Sequence, residues 1–178
     1  NKTGDILAYV GGNSGKKVAI ECKFDKSIKL GDVDSPDIAS NKYDTAWSQL
    51  LEATVNRDAN ASIIVFDKTL ADASIQRIVD GVTYIDNIGF ICIIDYEASD
   101  YHNLAIAYNF ARGLALRKDG KNLEVEFVNM LIQRLLKDIR DVQNIEILVK
   151  NNIKNNQQIL KNIEKGLLSI EFNQQYLV

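Results

Sequence analysis

The sequence predicts an α/β fold whose mixed central sheet begins with a β-hairpin, with helices packed on both faces and a long C-terminal helical extension. Three features predict it. Two short alternating runs are joined by a glycine-rich turn, two later apolar runs are rich in β-branched residues, and the segments between and after them carry apolar residues at helical spacing.

Residues 5–10 (DILAYV) and 18–24 (VAIECKF) alternate in polarity around Gly11-Gly12-Asn13-Ser14-Gly15-Lys16, the pattern of a hairpin. A polar loop follows at 25–35. Ser35-Pro36-Asp37 supplies an N-cap, a proline suited to the first helical position and an acid for the first turn. The spacing of Ala46, Trp47, Leu50, Leu51 and Thr54 carries a helix to about Arg57, with Ser40-Asn41 able to delay its start to Tyr43. Residues 61–66 (ASIIVF) form an unbroken apolar run, as expected of a strand covered on both faces. A short helix is expected at 72–79, a second buried strand at 89–95 (GFICIID), and a helix from about Tyr101 to Arg117.

After Asp119-Gly120 the character changes. Leu123, Phe127, Met130 or Leu131, Leu135, Ile139, Val142, Ile145, Val149, Ile153, Leu160 and Ile163 recur mostly at steps of three to four, separated by charged and amide residues. Two units are therefore expected, a core at 1–119 and a helical extension at 120–178, with Asn151-Asn152 and Asn155-Asn156 dividing the extension. Helices folded back over the core and a coiled-coil stalk that makes a homo-oligomer are both open.

The chain has 178 residues, 46% of them hydrophobic, enough to bury a core without disulfides or structural metal. Its net charge of -3 gives no overall basic field, so any nucleic-acid contact must rest on a local cluster. No apolar run approaches the roughly 20 residues that span a bilayer. Cys22 and Cys92 lie inside apolar runs and read as buried, reduced thiols of a cytoplasmic protein. Two thiols and the single His102 cannot make a four-ligand zinc site. His102 itself, in Asp100-Tyr101-His102-Asn103, reads as a surface or capping residue at a helix entry. The opening Asn1-Lys2-Thr3 has neither initiator Met nor leader, so the chain is expected to be the C-terminal part of a larger protein.

Two motifs fail on spacing. Gly11 to Lys16 lacks the phosphate loop's four intervening residues, its hydroxyl residue after the lysine and its following helix. Asp32, Asp34 and Asp37 are spaced like an acidic loop, but Pro36 intrudes and the distal glutamate of a calcium loop is missing.

The hairpin carries the stronger signal. Glu21 and Lys23 stand two apart on a strand and leave the same face, with Cys22 turned the other way. If the register brings Asp5 beside Glu21, two carboxylates converge, which is costly unless a cation lies between them. An all-oxygen set suits Mg²⁺ or Mn²⁺. Lys23 beside them could offset charge building on a phosphodiester under attack by water. Glu-x-Lys taken alone is an ordinary solvated strand face.

In their order, Gly4-Asp5-Ile6, the glycine-rich turn, VAIECKF, a helix and SIIVF resemble the core of the PD-(D/E)xK nucleases, the restriction-endonuclease-like superfamily. The resemblance covers about residues 4–117, and within the superfamily the layout is most similar to RmuC-like and Holliday-junction-resolvase-like domains. It implies a metal site of Asp5, Glu21 and the Cys22 carbonyl, with Lys23 as catalytic lysine and Gln49 as a further helix-borne residue. Gln49 reads equally well as a plain surface glutamine. The family's usual helix before the Asp strand has no counterpart in the four residues ahead of Asp5.

Lys16, Lys17, Lys26 and Lys29 would contact the DNA phosphate backbone, or serve only as solubilising charge. No aromatic-rich basic stripe points to base stacking. The expectation is a Mg²⁺-dependent deoxyribonuclease of DNA defence, recombination or repair, whose Asp5, Glu21 and Lys23 can be replaced without harm to the fold. The alternative is a catalytically inactive nuclease-like scaffold that acts as a dimerisation or partner-binding module.

Overall fold

The computed structural model describes residues 4–12, 15–31, 45–117 and 124–176. Its strands are β1 (Ile6–Val10), β2 (Lys16–Lys23), β3 (Ala61–Asp67), β4 (Val82–Ile85) and β5 (Gly89–Ile94). Its helices are α1 (Ala46–Arg57), α2 (Ala73–Ile78), α3 (His102–Leu116) and α4 (Val125–Gln175). The five strands form one sheet in the order β1-β2-β3-β5-β4. β2, β3 and β5 run parallel, while β1 and β4 pair antiparallel at the two edges. The mixed α/β sheet opening with a hairpin and the long C-terminal helix are as the sequence predicts.

The strand at the centre explains the layering. All seven residues of β3 are buried, so each side chain needs cover on its own side of the pleat. Ile64 and Phe66 join Ala46 and Leu50 of α1, Ile75 of α2 and Ile91 in one cluster. Side chains of the opposite parity, Ile63 and Val65, lie on the other face. There α3 packs against β3 and β5, with the Phe90 and Phe110 ring centroids 6.5 Å apart.

α1 begins at a capping box. The Thr45 hydroxyl accepts the Ser48 N–H at 3.1 Å and the Ser48 hydroxyl accepts the Thr45 N–H at 3.0 Å. The start expected at Ser35-Pro36-Asp37 or Tyr43, and the acids Asp32, Asp34 and Asp37, lie outside the described residues. α2 is capped by Asp72, whose carboxylate accepts the Ser74 N–H at 2.8 Å.

β4 is a strand the sequence reading lacks. Its four residues, Val-Thr-Tyr-Ile, alternate correctly, and Asn87 turns the chain into β5 with φ +55°. Four residues is too short a run for the pattern to separate from a loop. Its outer edge is covered: the Asn129 side chain accepts the Tyr84 N–H at 2.7 Å and donates to the Tyr84 carbonyl at 2.9 Å, while Gln133 donates to the Asp80 carbonyl at 3.1 Å.

α4 runs 51 residues without a break, so the asparagine pairs do not divide it. Each Asn costs no more than about 0.7 kcal/mol relative to Ala in a helix interior, and no proline enforces a stop. The chain forms two compact units, Asn1–Leu136 and Lys137–Val178; Val128, Ile132 and Leu136 of α4 are buried within the first. Among the described residues no helix is long and apolar enough to cross a membrane.

One close approach holds β5 against β3. A Cβ on Gly89 (φ +150°) would lie 2.4 Å from the Ser62 carbonyl oxygen and 2.7 Å from its hydroxyl. That hydroxyl, fully buried, donates to the Ile88 carbonyl at 2.9 Å and accepts from the Thr54 hydroxyl at 2.8 Å. Gly89→Ala is expected to lower unfolding stability by about 1–3 kcal/mol in urea titrations. Gly113→Ala, on α3 with nothing within 4 Å of the added methyl, should raise it by about 0.4–1 kcal/mol. Equal effects at the two positions would refute the packing argument.

Candidate functional site

The hairpin register determines where the acids fall. Ile6 pairs with Ile20, so Asp5, one residue before β1, extends the ladder opposite Glu21. Glu21 and Lys23 pair with Ile64 and Phe66 of β3, which places both on the face covered by α1. The structure thus gathers Asp5, Glu21, Cys22 and Lys23 at the end of the hairpin away from its turn.

Each is held by defined bonds. Glu21 is buried; its Oε1 lies 2.6 Å from the Lys23 ammonium and its Oε2 accepts the Gly4 N–H. Asp5 is exposed, and its Oδ2 accepts the Cys22 N–H at 2.8 Å. Arg57, in the last turn of α1, donates to the Gly4 carbonyl. Gly4 has φ +103°, and a Cβ there would meet the Arg57 side chain at 2.9 Å. Side chains therefore make the bonds that close the ladder beyond Ile6. Asp5 is aimed by a main-chain amide, and the segment carrying it is clamped from both sides.

Burial corrects two expectations. Glu21 is not a solvated strand acid: its side chain is 6% exposed because α1 roofs that face. Removing its carboxylate would leave a buried N–H and a half-buried ammonium without their acceptor, so Glu21→Ala cannot leave the fold unharmed. Cys22 does leave the opposite face, but it is half-exposed at the second-last position of β2 and does not lie in the core. Desolvation, then the charges of Asp5 and Glu21, push its thiol pKa up, and Lys23 opposes them. Cys92 is fully buried, and both thiols are free.

Gln49 is buried on the inner side of α1 with Ala46, Leu50 and Ala53. Among the described residues no hydrogen bond reaches its side-chain amide. No sealed side-chain N or O in that set lacks a partner, so the amide is not fully cut off from solvent.

The lysines divide. Lys16 and Lys17 pair with Val10 and Tyr9 at the turn end of β2, roughly 13–23 Å along the strand from Glu21 and Lys23. Lys17 is bridged to Asp58 at 3.1 Å. Lys26 and Lys29 lie beyond the Lys23 end of β2 and are exposed; the Lys29 carbonyl accepts the Ala46 N–H at 2.8 Å. Lys68, at the end of β3, pairs with Asp95 at 3.4 Å. His102 opens α3 with its Nδ1 2.6 Å from Asp100, a surface histidine at a helix start as the sequence indicates.

Several residues here escape sequence reasoning. Phe24 and Tyr96 follow β2 and β5, both more than half exposed, with ring centroids 6.1 Å apart in an edge-to-face pair. Asp67 is buried at the end of β3. Its carboxylate accepts the Thr69 hydroxyl, the Thr69 N–H at 2.9 Å and the Tyr96 N–H at 3.0 Å. Hydrogen bonding, the Thr69 hydroxyl first, holds its pKa below the ordinary carboxylate value. Arg57 is indistinguishable in sequence from any charged helix-end residue.

The all-oxygen chemistry of Asp5, Glu21 and a main-chain carbonyl fits a hard divalent cation. Among the described residues no group of three or more His, Cys, Asp or Glu side chains is gathered for a metal, so an ion here would rest on two carboxylates and the backbone. No family model, curated protein or solved structure matches this chain significantly.

Asp67 gives a pH prediction. Its pKa is depressed in the folded state and near 3.9 when unfolded, so its contribution is present above about pH 4 and is lost as pH falls through the folded value. Asp67→Asn should lower the urea midpoint at neutral pH and flatten its decline in acid. A variant midpoint that falls with acid as steeply as the parent's would remove Asp67 from that role.

Proposed function

We propose that this chain is a metal-dependent nuclease domain that hydrolyses DNA phosphodiester bonds. The observation that carries the reading is the convergence of Asp5, Glu21 and Lys23 at the open end of one hairpin. β2 of that hairpin runs parallel to β3 beneath a helix with an inward-facing glutamine. Asp5, Glu21 and the Cys22 carbonyl would hold Mg²⁺ or Mn²⁺. Such an ion, when bound, supplies Lewis-acid polarisation of a phosphoryl oxygen and a lowered pKa for water.

The chain's own groups account for the rest. The Lys23 ammonium is held within reach of Glu21 and can meet a phosphate oxygen as negative charge develops. Asp5 keeps one carboxylate oxygen on the Cys22 amide and has the other for a cation or a proton. The clamp of Arg57 and Glu21 on Gly4 fixes Asp5 before substrate arrives, so little reorganisation is needed. Gln49 can orient water or a phosphate oxygen from the helix side. Lys26 and Lys68 offer phosphate contacts at the same end of the sheet; Lys16 and Lys17, at the far end, would meet only an extended strand.

One observation favours a non-catalytic scaffold instead: both Glu21 oxygens already have donors, so the buried carboxylate is satisfied by protein alone. Asp5→Asn, Glu21→Gln and Lys23→Met keep shape and, for Glu21, an acceptor for the Gly4 N–H. Each should cut Mg²⁺- or Mn²⁺-dependent cleavage of defined DNA substrates by at least about 100-fold, with circular dichroism unchanged. Parental cleavage in the Asp5→Asn, Glu21→Gln double variant would end the nuclease reading. Absence of Mn²⁺ binding heat in the parent would favour the scaffold.

A further inference from the structure

The distal run of α4, from Lys137 on, is a unit of its own, and its aliphatic residues lie open. Seven of them, between Val142 and Ile170, fall on one line and are 48–65% exposed: Val142, Val149, Ile153, Leu160, Ile163, Leu167 and Ile170. With Ile139 they repeat every seven residues in alternating steps of three and four. Ile139, Ile153, Leu160 and Leu167 take position a; Val142, Val149, Ile163 and Ile170 take position d. Glu146 and Asn156 occupy the two remaining places between Ile139 and Ile170. A straight α-helix drifts about 20° per heptad against such a repeat, so the line stays in register only if helices wind around one another. A globular surface asks for a broader stripe at a period of 3.6.

We infer that residues 139–174 form a parallel, in-register coiled coil with further copies of this chain, three or four in number. The seam's a, d, e and g positions supply about 20 residues a side, the size at which stable interfaces begin. Like helices fit at Asn156, which is self-complementary. In the parallel register each Asn156 amide meets the Asn156 amide of its neighbours, and each can donate and accept. Antiparallel packing sets a against d. The register that then matches Asn156 with Glu146 leaves Leu167 and Ile170 beyond the overlap.

Charge permits the parallel arrangement. Position g meets position e of the next heptad on the neighbour, and Ile145 with Lys150, Asn152 with Gln157, and Ile159 with Glu164 bring no like charges together. The same register sets the Glu146 carboxylates of the copies in one a layer, and each brings its own counter-charge, Lys150 at 2.6 Å on the same helix, to offset their repulsion. The number of copies follows from branching. Two-stranded coils favour leucine at d, whereas every aliphatic d residue here is β-branched, and the pairs Leu160–Ile163 and Leu167–Ile170 put leucine at a and isoleucine at d. Ile145 and Ile159 at g widen the stripe, as more than two strands require.

This inference stands apart from the nuclease reading and is tested by mass. Sedimentation equilibrium of the full chain should give three or four chains per particle, and Ile163→Asp with Leu167→Asp should reduce it to a monomer while the thermal transition of the core is retained. Orientation is tested with Ile170→Cys in a Cys22→Ser background, Cys92 being buried. Air oxidation should join chains through position 170, which antiparallel helices would hold far apart. A parent that is monomeric or dimeric at every soluble concentration, or an Ile170→Cys variant that forms no interchain disulfide, would overturn the inference.

Discussion

Burial of β3 on both faces is the constraint on which the other elements depend. Seven consecutive residues without solvent on either side require a paired strand at each flank and a helical layer above and below. β2 and β5 satisfy the backbone, α1 and α2 cover one face and α3 the other. The parallel pairing of β2 follows, because a chain that leaves β2, forms α1 over the sheet and re-enters beside it must run the same way. That geometry brings the end of β2, with Glu21 and Lys23, to the same end of the sheet as Asp67 and Tyr96.

The charges at that end are arranged by what can be buried. Glu21 lies under α1 and survives there because it receives two donors, one of them charged. Among the described residues Asp67 has no cationic partner and is stabilised by neutral donors. Asp5, exposed and held by one amide, keeps capacity to bind something else. The contrast gives the open end of the hairpin a rigid acid and an available acid beside the Lys23 ammonium.

Much of this is legible in one dimension. Alternation in VAIECKF and the glycine turn indicate the hairpin, and the period of two puts Glu21 and Lys23 on one face; Asp5 joins them only through a register that the letters leave conditional. The unbroken runs gave β3 and β5 for the same local reason. What depends on distant packing was not legible. Nothing in the strand pattern says which face α1 will roof, so Glu21 reads as solvated and Cys22 as core. Arg57 reaches Gly4 across 53 positions of sequence, and Phe24 meets Tyr96 only because β2 and β5 flank β3. β4 is too short to announce itself, and the asparagine pairs of α4 break nothing because no competing cap or proline acts with them.

Asn129 has a bearing on how this chain can be divided. By presenting an amide that bonds like a neighbouring strand to both polar groups of Tyr84, it lets the root of α4 seal the margin of the sheet. A shortened chain ending near residue 117 would keep every strand yet bare the rim of β4, a ready template for intermolecular strand addition. Excision of the sheet-bearing portion for separate study must therefore carry the first three turns of the long helix, or it will yield a sticky particle and not an independent domain.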